Sequence, residues 1–236
     1  MNVLIIGYGH IGKPLFEIVS EKYPAEWADI GAKHLKLKPD ILHICYPYSK
    51  TFQVDTASYI DRFKPSLCII ESTIPVGTTR ILSTLYHNIV HSPVRGREKD
   101  DMKRCILTYT KFVGSVHDGP NSQARSYYKS LGIYAIDRGS PADTEAAKLW
   151  DTTIRTINIS IWNELARFCD KYNIQMDAVR KFIMKGNEET GMEQYRPVHY
   201  AGTIGGSCLI PNIDKILEQF DSNLLKAVKD ASVYNE

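Results

Sequence analysis

The chain has no apolar run of transmembrane length, no CxxC pair, no internal repeat and almost no surplus of either charge. Its 29 Lys+Arg against 27 Asp+Glu leave a formal net charge of +2, which makes no case for nucleic acid or an anionic membrane. The one dense charge run, residues 95–104 (RGREKDDMKR), alternates in sign and reads as a solvated surface. Five cysteines (45, 68, 105, 169 and 208) are spaced neither as a metal set nor as a disulfide framework. Cys45 and Cys68 sit inside apolar runs and read as small core residues. No signal peptide is legible at the start. The expectation is a soluble, reduced, cytoplasmic globular protein with no metal, no nucleic acid and no membrane among its partners. Its 236 residues with 43% hydrophobic content suffice for one good core and a smaller satellite.

What is present begins at once. Residues 2–6 (NVLII) are a short apolar run of the kind that makes a buried parallel strand. They lead into Gly7-Tyr8-Gly9-His10-Ile11-Gly12, with a helix expected over 13–21. In this G-x-G-x-x-G spacing Gly7 permits a tight turn, Gly9 lets a pyrophosphate approach the backbone, and Gly12 allows close helix–strand packing. The helix N-terminus then aims free N–H groups at the phosphates. The competing reading is an ordinary strand-to-helix turn. A second strand is expected at 26–30, which puts Asp29 22 positions after Gly7, close to the ~20-residue interval at which a carboxylate takes the adenosine ribose. That favours NAD, while Lys33, His34 and Lys36 nearby leave NADP open, and a surface-turn aspartate is the plain alternative.

Further buried strands are expected at 41–45, 67–71, 88–91, 111–114 and 133–136, with helices over 49–63 and 121–131 between them. Strands alternating with helices predict an α/β fold, a Rossmann-like doubly wound parallel sheet whose ligands sit at the carboxyl ends of the strands. The loops 7–12, 46–49, 71–79 and 91–98 all fall on that edge. At Ser140-Pro141 the pattern turns helical, so the division expected is a dinucleotide-binding domain over 1–140 and a smaller all-helical domain over 141–236. Trp150, Ile154, Ile157, Ile161, Leu165 and Phe168 recur at spacings of three and four, predicting a connecting helix of about thirty residues with one apolar stripe. The stripe is either domain core or a homodimer seam, and the length of the helix favours the seam. A shorter helix is expected over 176–185, stopped by Gly186, and a last one from about Ile213 with Ile216, Leu217, Phe220, Leu224 and Val228 on one face. Cys208 lies just ahead of that helix start, after Gly205-Gly206-Ser207, where backbone is open to approach and the helix dipole favours a nucleophilic thiolate.

These pieces, taken in order, resemble the UDP-glucose/GDP-mannose dehydrogenase family of nucleotide-sugar 6-dehydrogenases. The matching stretches are 7–15 (GYGHIGKPL), Tyr46-Pro47, 71–79 (ESTIPVGTT), Ser92-Pro93, 145–148 (EAAK), Asn163-Glu164 and 205–208 (GGSC). The resemblance implies a Rossmann domain joined by a long helix to a helical domain, dimerisation through the helix around Trp150 and Phe168, and oxidation of a sugar C6 alcohol with reduction of NAD. It further implies Cys208 as the nucleophile that captures an aldehyde, Lys148 as the cation that stabilises the alkoxide, Thr73 on the nicotinamide side near a catalytic water, and Glu98 near nicotinamide and thioester. Tyr46, Pro47, Ser72 and Thr73 join the glycine loop and Asp29 as implied cofactor contacts.

The sequence also departs from the family. Thr152 stands where the family has asparagine, Asn212 where it has a water-activating aspartate, and Val94 where it has glutamate. An amide is no general base, so thioester hydrolysis is the step these changes put in question. Nothing in the sequence matches the family's third, nucleotide-holding domain, so the substrate expected is a primary alcohol or aldehyde, on a sugar or sugar derivative, rather than a fixed sugar nucleotide. Two other readings stay open. One is a two-electron dehydrogenase of the 3-hydroxyacid type with Cys208 structural. The other is a catalytically inactive NAD-binding dimer acting as sensor or scaffold.

Overall fold

The computed structural model describes every residue except 30–34, 36, 97–100, 192–195, 203, 205–207 and 232–236. Contacts group the chain into two compact units, Met1–Lys148 and Leu149–Glu236.

The first unit is built on five parallel strands, β1 (Val3–Ile6), β2 (Ala25–Ala28), β3 (Ile41–Ile44), β4 (Leu67–Ile70) and β5 (Ile89–His91), in the order β2-β1-β3-β4-β5. The register is level, with Val3 opposite Ile41 and Ile41 opposite Leu67. Side chains therefore alternate between the two faces in step across the sheet. Val3, Ile5, Ile41, Leu67, Ile69 and Val90 enter one core, while Leu4, Ile6, Leu42, Ile44, Cys68 and Ile70 enter the other. The first core is covered by α1 (Gly12–Ser20), α4 (Met102–Thr108) and α5 (Asp118–Ser130), the second by α2 (Phe52–Phe63) and α3 (Thr78–Ser83). Both faces being buried explains why the strands read as continuous apolar runs. The later strands β6 (Lys111–Val113) and β7 (Ala135–Asp137) form their own parallel pair, joined to β5 by an antiparallel bridge between His91 and Gly114.

Two helices were not legible in the pattern. The six-residue α3 follows a left-handed Gly77 (φ 95°), and α4 begins inside the charge run, where the Asp101 side chain accepts the Arg104 N–H at 3.1 Å.

The second unit is helical: most of α6 (Pro141–Lys171), then α7 (Met176–Glu189), α8 (Leu209–Leu217) and α9 (Asn223–Asp230). Two expectations are corrected here. Gly186 does not stop α7, which runs on to Glu189. The next residue, Asn187, is buried and donates from Nδ2 to the Arg196 carbonyl at 2.9 Å, a tertiary contact that offsets the roughly 1 kcal/mol penalty of a mid-helix glycine. The last helix is two helices, because Ser222 caps a new start by accepting from Leu225 N–H. Ile213, Ile216, Leu225 and Val228 share the core, whereas Phe220 and Leu224 are exposed.

The long helix divides its apolar stripe. Its buried side mixes Leu149, Trp162, Ala166 and Cys169 with Thr152, Thr153, Thr156, Ser160 and Asn163. Of the stripe residues, Trp150, Ile154, Ile161 and Phe168 are 38–59% exposed, Leu165 is half-buried and Ile157 packs against the core. The buried hydroxyls are satisfied by turning back on the helix, Thr153 to Leu149 O at 2.8 Å and Thr156 to Thr152 O at 3.0 Å. Asn163 donates to the Gly202 and Ala231 carbonyls. These polar residues can therefore be buried without orphaned groups, while four of the six stripe residues face outward.

Candidate active site

The loop leaving β1 is fixed by its glycines. Gly7 sits at φ 96°, and a Cβ there would lie 2.7 Å from the Tyr46 nitrogen; a Cβ on Gly12 would lie 1.8 Å from the Gly7 carbonyl oxygen. Gly9 is different, because a Cβ there would meet no atom within 4 Å. Beside it opens a cavity of about 460 Å³ lined by Gly7, Gly9, His10, Ile11, Asp29, Cys45, Tyr46 and Pro47. Asp29 Oδ1 accepts the Tyr8 backbone N–H at 2.8 Å, tying the end of β2 to the loop. The Tyr8 ring stacks on Trp27 at 3.7 Å, so its side chain braces the loop. The Tyr46 hydroxyl bonds Thr56 in the core at 2.6 Å, and burial pushes the phenol's pKa well up, which keeps it neutral. Open backbone at Gly9, a helix starting at Gly12 and a carboxylate at Asp29 make a cradle that fits a dinucleotide.

The next loop leaves β4 through Glu71, Ser72 and Thr73. The Ser72 hydroxyl donates to the Tyr46 carbonyl at 2.6 Å, linking this loop to the cavity wall, and Thr73 is half-buried. Glu71 is the hub of a wholly buried polar cluster. Its Oε1 accepts from His43 Nδ1 at 3.0 Å and from the Tyr128 hydroxyl at 2.7 Å, and its Oε2 pairs with the Lys111 ammonium. His43 Nε2 meets the Tyr127 hydroxyl, and Lys111 also donates to the Ser92 carbonyl. Burial alone would raise the Glu71 carboxyl, but Lys111 and His43 outweigh it and hold it at about 2. His91, also fully buried, is depressed to about 3, first by desolvation and then by the Lys111 and Lys148 charges. It is therefore a neutral ring, with Nε2 at 3.1 Å from the Ser72 carbonyl and Nδ1 at 2.8 Å from the Thr144 hydroxyl. Lys148 is half-buried on α6, one turn after Glu145. Glu98 lies outside the described residues, as do Gly205, Gly206 and Ser207.

In the second unit Cys208 immediately precedes α8 and is exposed, whereas Cys68, Cys105 and Cys169 are buried and Cys45 half-buried. Asn212 and Thr152, two of the three departures from the family, meet each other. Asn212 Nδ2 donates to Thr152 Oγ1 at 3.0 Å, and its Oδ1 accepts from Lys215 at 3.2 Å. Both ends of the amide are thus engaged one turn from Cys208. Burial lowers the pKa of Lys215.

His43, Lys111 and His91 had no role in the sequence reading, and Glu71 and Glu145 had only motif membership. Their signal was there, since an ionisable residue inside an otherwise apolar strand demands a buried partner. That pattern does not name the partner.

The sequence profile of the central domain of the UDP-glucose/GDP-mannose dehydrogenase family matches residues 142–235. That stretch is similar to the family's central domain. A UDP-N-acetyl-D-mannosamine dehydrogenase of Methanococcus vannielii is 27% identical over 185 residues, covering 75% of this chain and 40% of that protein. The chain spans less than half the length of the curated relatives it matches. Among solved structures, the UDP-D-ManNAc dehydrogenase of Pyrococcus horikoshii superposes with a TM-score of 0.77 at 19% identity, covering 98% of this chain and 68% of that one. A 3-hydroxyisobutyrate dehydrogenase of Mycobacterium tuberculosis gives 0.71 at 15% identity, covering 97% and 91%. Both structural likenesses show the fold alone, the α/β Rossmann-like fold of these dehydrogenases.

Proposed function

We propose that this chain is a nicotinamide-dependent dehydrogenase that oxidises a CH–OH group on a sugar or sugar derivative, with NAD as cofactor. The observation that carries the reading is the cavity at the strand ends, lined by Gly7, Gly9, His10, Ile11, Asp29, Tyr46 and Pro47. Backbone N–H groups of the loop and the start of α1 would hold the pyrophosphate, and Asp29 would take the ribose hydroxyls while repelling a 2′-phosphate. Bound there, the dinucleotide supplies a hydride acceptor. Ser72 and Thr73 would line the nicotinamide side. Lys148 would hold the alkoxide that forms as the alcohol proton leaves. The Cys208 thiol would add to an aldehyde carbon, forming a C–S bond while the carbonyl oxygen takes up a proton. Glu98 would stand by the nicotinamide.

The two-electron alternative is favoured by one observation, the Asn212–Thr152 pair. Neither group is a base, so this pair offers no carboxylate to activate water on a thioester. Reduced-nicotinamide formation over a panel of nucleotide sugars and small hydroxy compounds, with NAD and with NADP, tests both readings. Two reduced cofactors per substrate, lost in Cys208→Ala, support thioester chemistry; one per substrate, kept in that variant, supports the simple dehydrogenase. No turnover in protein that binds NAD would leave a sensor or scaffold.

The outward stripe of α6 supports a homodimer joined along that helix. Trp150, Ile154, Ile161 and Phe168 line the outward side of a helix whose other side is already packed.

A further inference from the structure

Two segments of unit Met1–Lys148, the loop 71–79 and the first turns of α6, are held together by contacts that the functional reading does not use. Glu145 is fully buried, and its carboxylate accepts two backbone N–H groups at once: Gly77 to Oε2 at 2.6 Å and Thr79 to Oε1 at 2.8 Å. These are the N-cap and second residue of α3, whose N–H groups have no partner inside their own helix. A carboxylate there also meets the positive end of the helix dipole. The residue before it, Thr144, repeats the link: its hydroxyl meets His91 Nδ1 at 2.8 Å, and His91 Nε2 reaches the Ser72 carbonyl at 3.1 Å. Adjacent residues of one helical turn thus grip both ends of the loop that carries Thr73, and Lys148 follows one turn later on the same helix.

We propose that Glu145 is a positioning residue, whose paired contacts to Gly77 and Thr79 hold the Lys148 turn of α6 in register with the Thr73 loop. The proposal rests on the dehydrogenase reading for its catalytic consequence, but not for the tether itself. The contact has a strict chemical requirement. Two N–H donors face one side chain, so both termini must accept. Glutamine offers one carbonyl and sets an NH₂ against the second N–H; alanine offers neither and leaves two buried donors unpaired. His91 acts alongside as a neutral ring, since its burial and the nearby Lys111 and Lys148 charges disfavour protonation.

The test uses the full chain with Glu145→Gln and Glu145→Ala. Amide hydrogen exchange over residues 77–79 reads the tether without any substrate. Exchange should quicken on the order of tenfold in Glu145→Gln and further in Glu145→Ala, while the core amides of β1 and β3 stay protected. Steady-state kinetics reads the consequence: kcat should fall on the order of ten- to a hundredfold, with NAD affinity falling far less, because the Gly7–Gly12 cradle and Asp29 keep their geometry while only the nicotinamide side loosens. Unchanged exchange at 77–79 would overturn the tether. Faster exchange with kcat intact would overturn the positioning role while leaving the dehydrogenase reading standing. Absence of turnover in the unaltered chain would sink that reading and leave the exchange result to decide the tether alone.

Discussion

Replacing Lys111 by methionine tests the buried cluster beneath the loops most sharply. Lys111 is 4% exposed, Glu71 2% and His43 0%, so removing the ammonium strands a carboxylate that water cannot reach. Breaking a buried pair from one side costs about 3–5 kcal/mol. The Glu71 carboxyl gives an independent figure. It falls from 4.5 to about 2 in the folded chain, and that shift corresponds to about 3 kcal/mol. Because the folded value is depressed, this stability is fully present above 4.5 and is lost as pH falls through about 2. Urea unfolding at neutral pH, followed by circular dichroism, should show Lys111→Met losing about 3–5 kcal/mol. Adding Glu71→Gln should restore at least half of that, since the stranded charge is gone. The acid-dependent loss below pH 4.5 should shrink in Glu71→Gln. A cost under about 1 kcal/mol for Lys111→Met would refute the reasoning, because it would mean that Glu71 is neutral or hydrated in the folded chain.

Three further outcomes follow from single contacts. Gly12→Ala should prevent stable folding of the first unit, because its Cβ would lie 1.8 Å from the Gly7 carbonyl oxygen, in backbone that cannot give way; loss of the cooperative thermal transition reads this. Ile161→Asp should convert a dimer to a monomer in light scattering, since it sets a charge in the middle of the outward stripe, and an unaltered chain that is already monomeric would remove the seam. Asp29→Asn should weaken NAD on the order of tenfold by calorimetry and improve NADP relative to it; equal loss for both cofactors would mean that Asp29 acts only through its bond to Tyr8 N–H.

Much of the first unit was legible because its signals are local. Runs such as VLII and LCII are buried on both faces and have no other use, and the glycine spacing states its own geometry at Gly7 and Gly12. The long helix was legible in length, but whether its stripe faced core or solvent was not. Periodicity reports that an apolar face exists, and only the hydroxyl-satisfied packing of Thr153, Thr156 and Ser160 shows that small polar residues share the buried side with Leu149, Trp162 and Cys169. The break before Asn223 was hidden for a related reason: Phe220 and Leu224 continue the helical period, and one Ser222 cap ends it. The Glu71–Lys111–His43 cluster and the Glu145 tether lay beyond any local pattern, because their partners are 28 to 68 positions apart. The meeting of Thr152 with Asn212, 60 positions apart, turns two separate departures from the family into one paired change.

The central claim is that the cavity beside Gly9 is a dinucleotide site, and Gly9→Leu tests it most directly. A Cβ at this position would meet no atom within 4 Å, so the fold should keep its thermal transition while the side chain beyond it fills the cradle. Titration with NAD by calorimetry should then show binding in the unaltered chain and a loss of at least about tenfold in Gly9→Leu. Undiminished NAD binding in a folded Gly9→Leu chain would contradict the account, because the phosphates would then have to lie elsewhere.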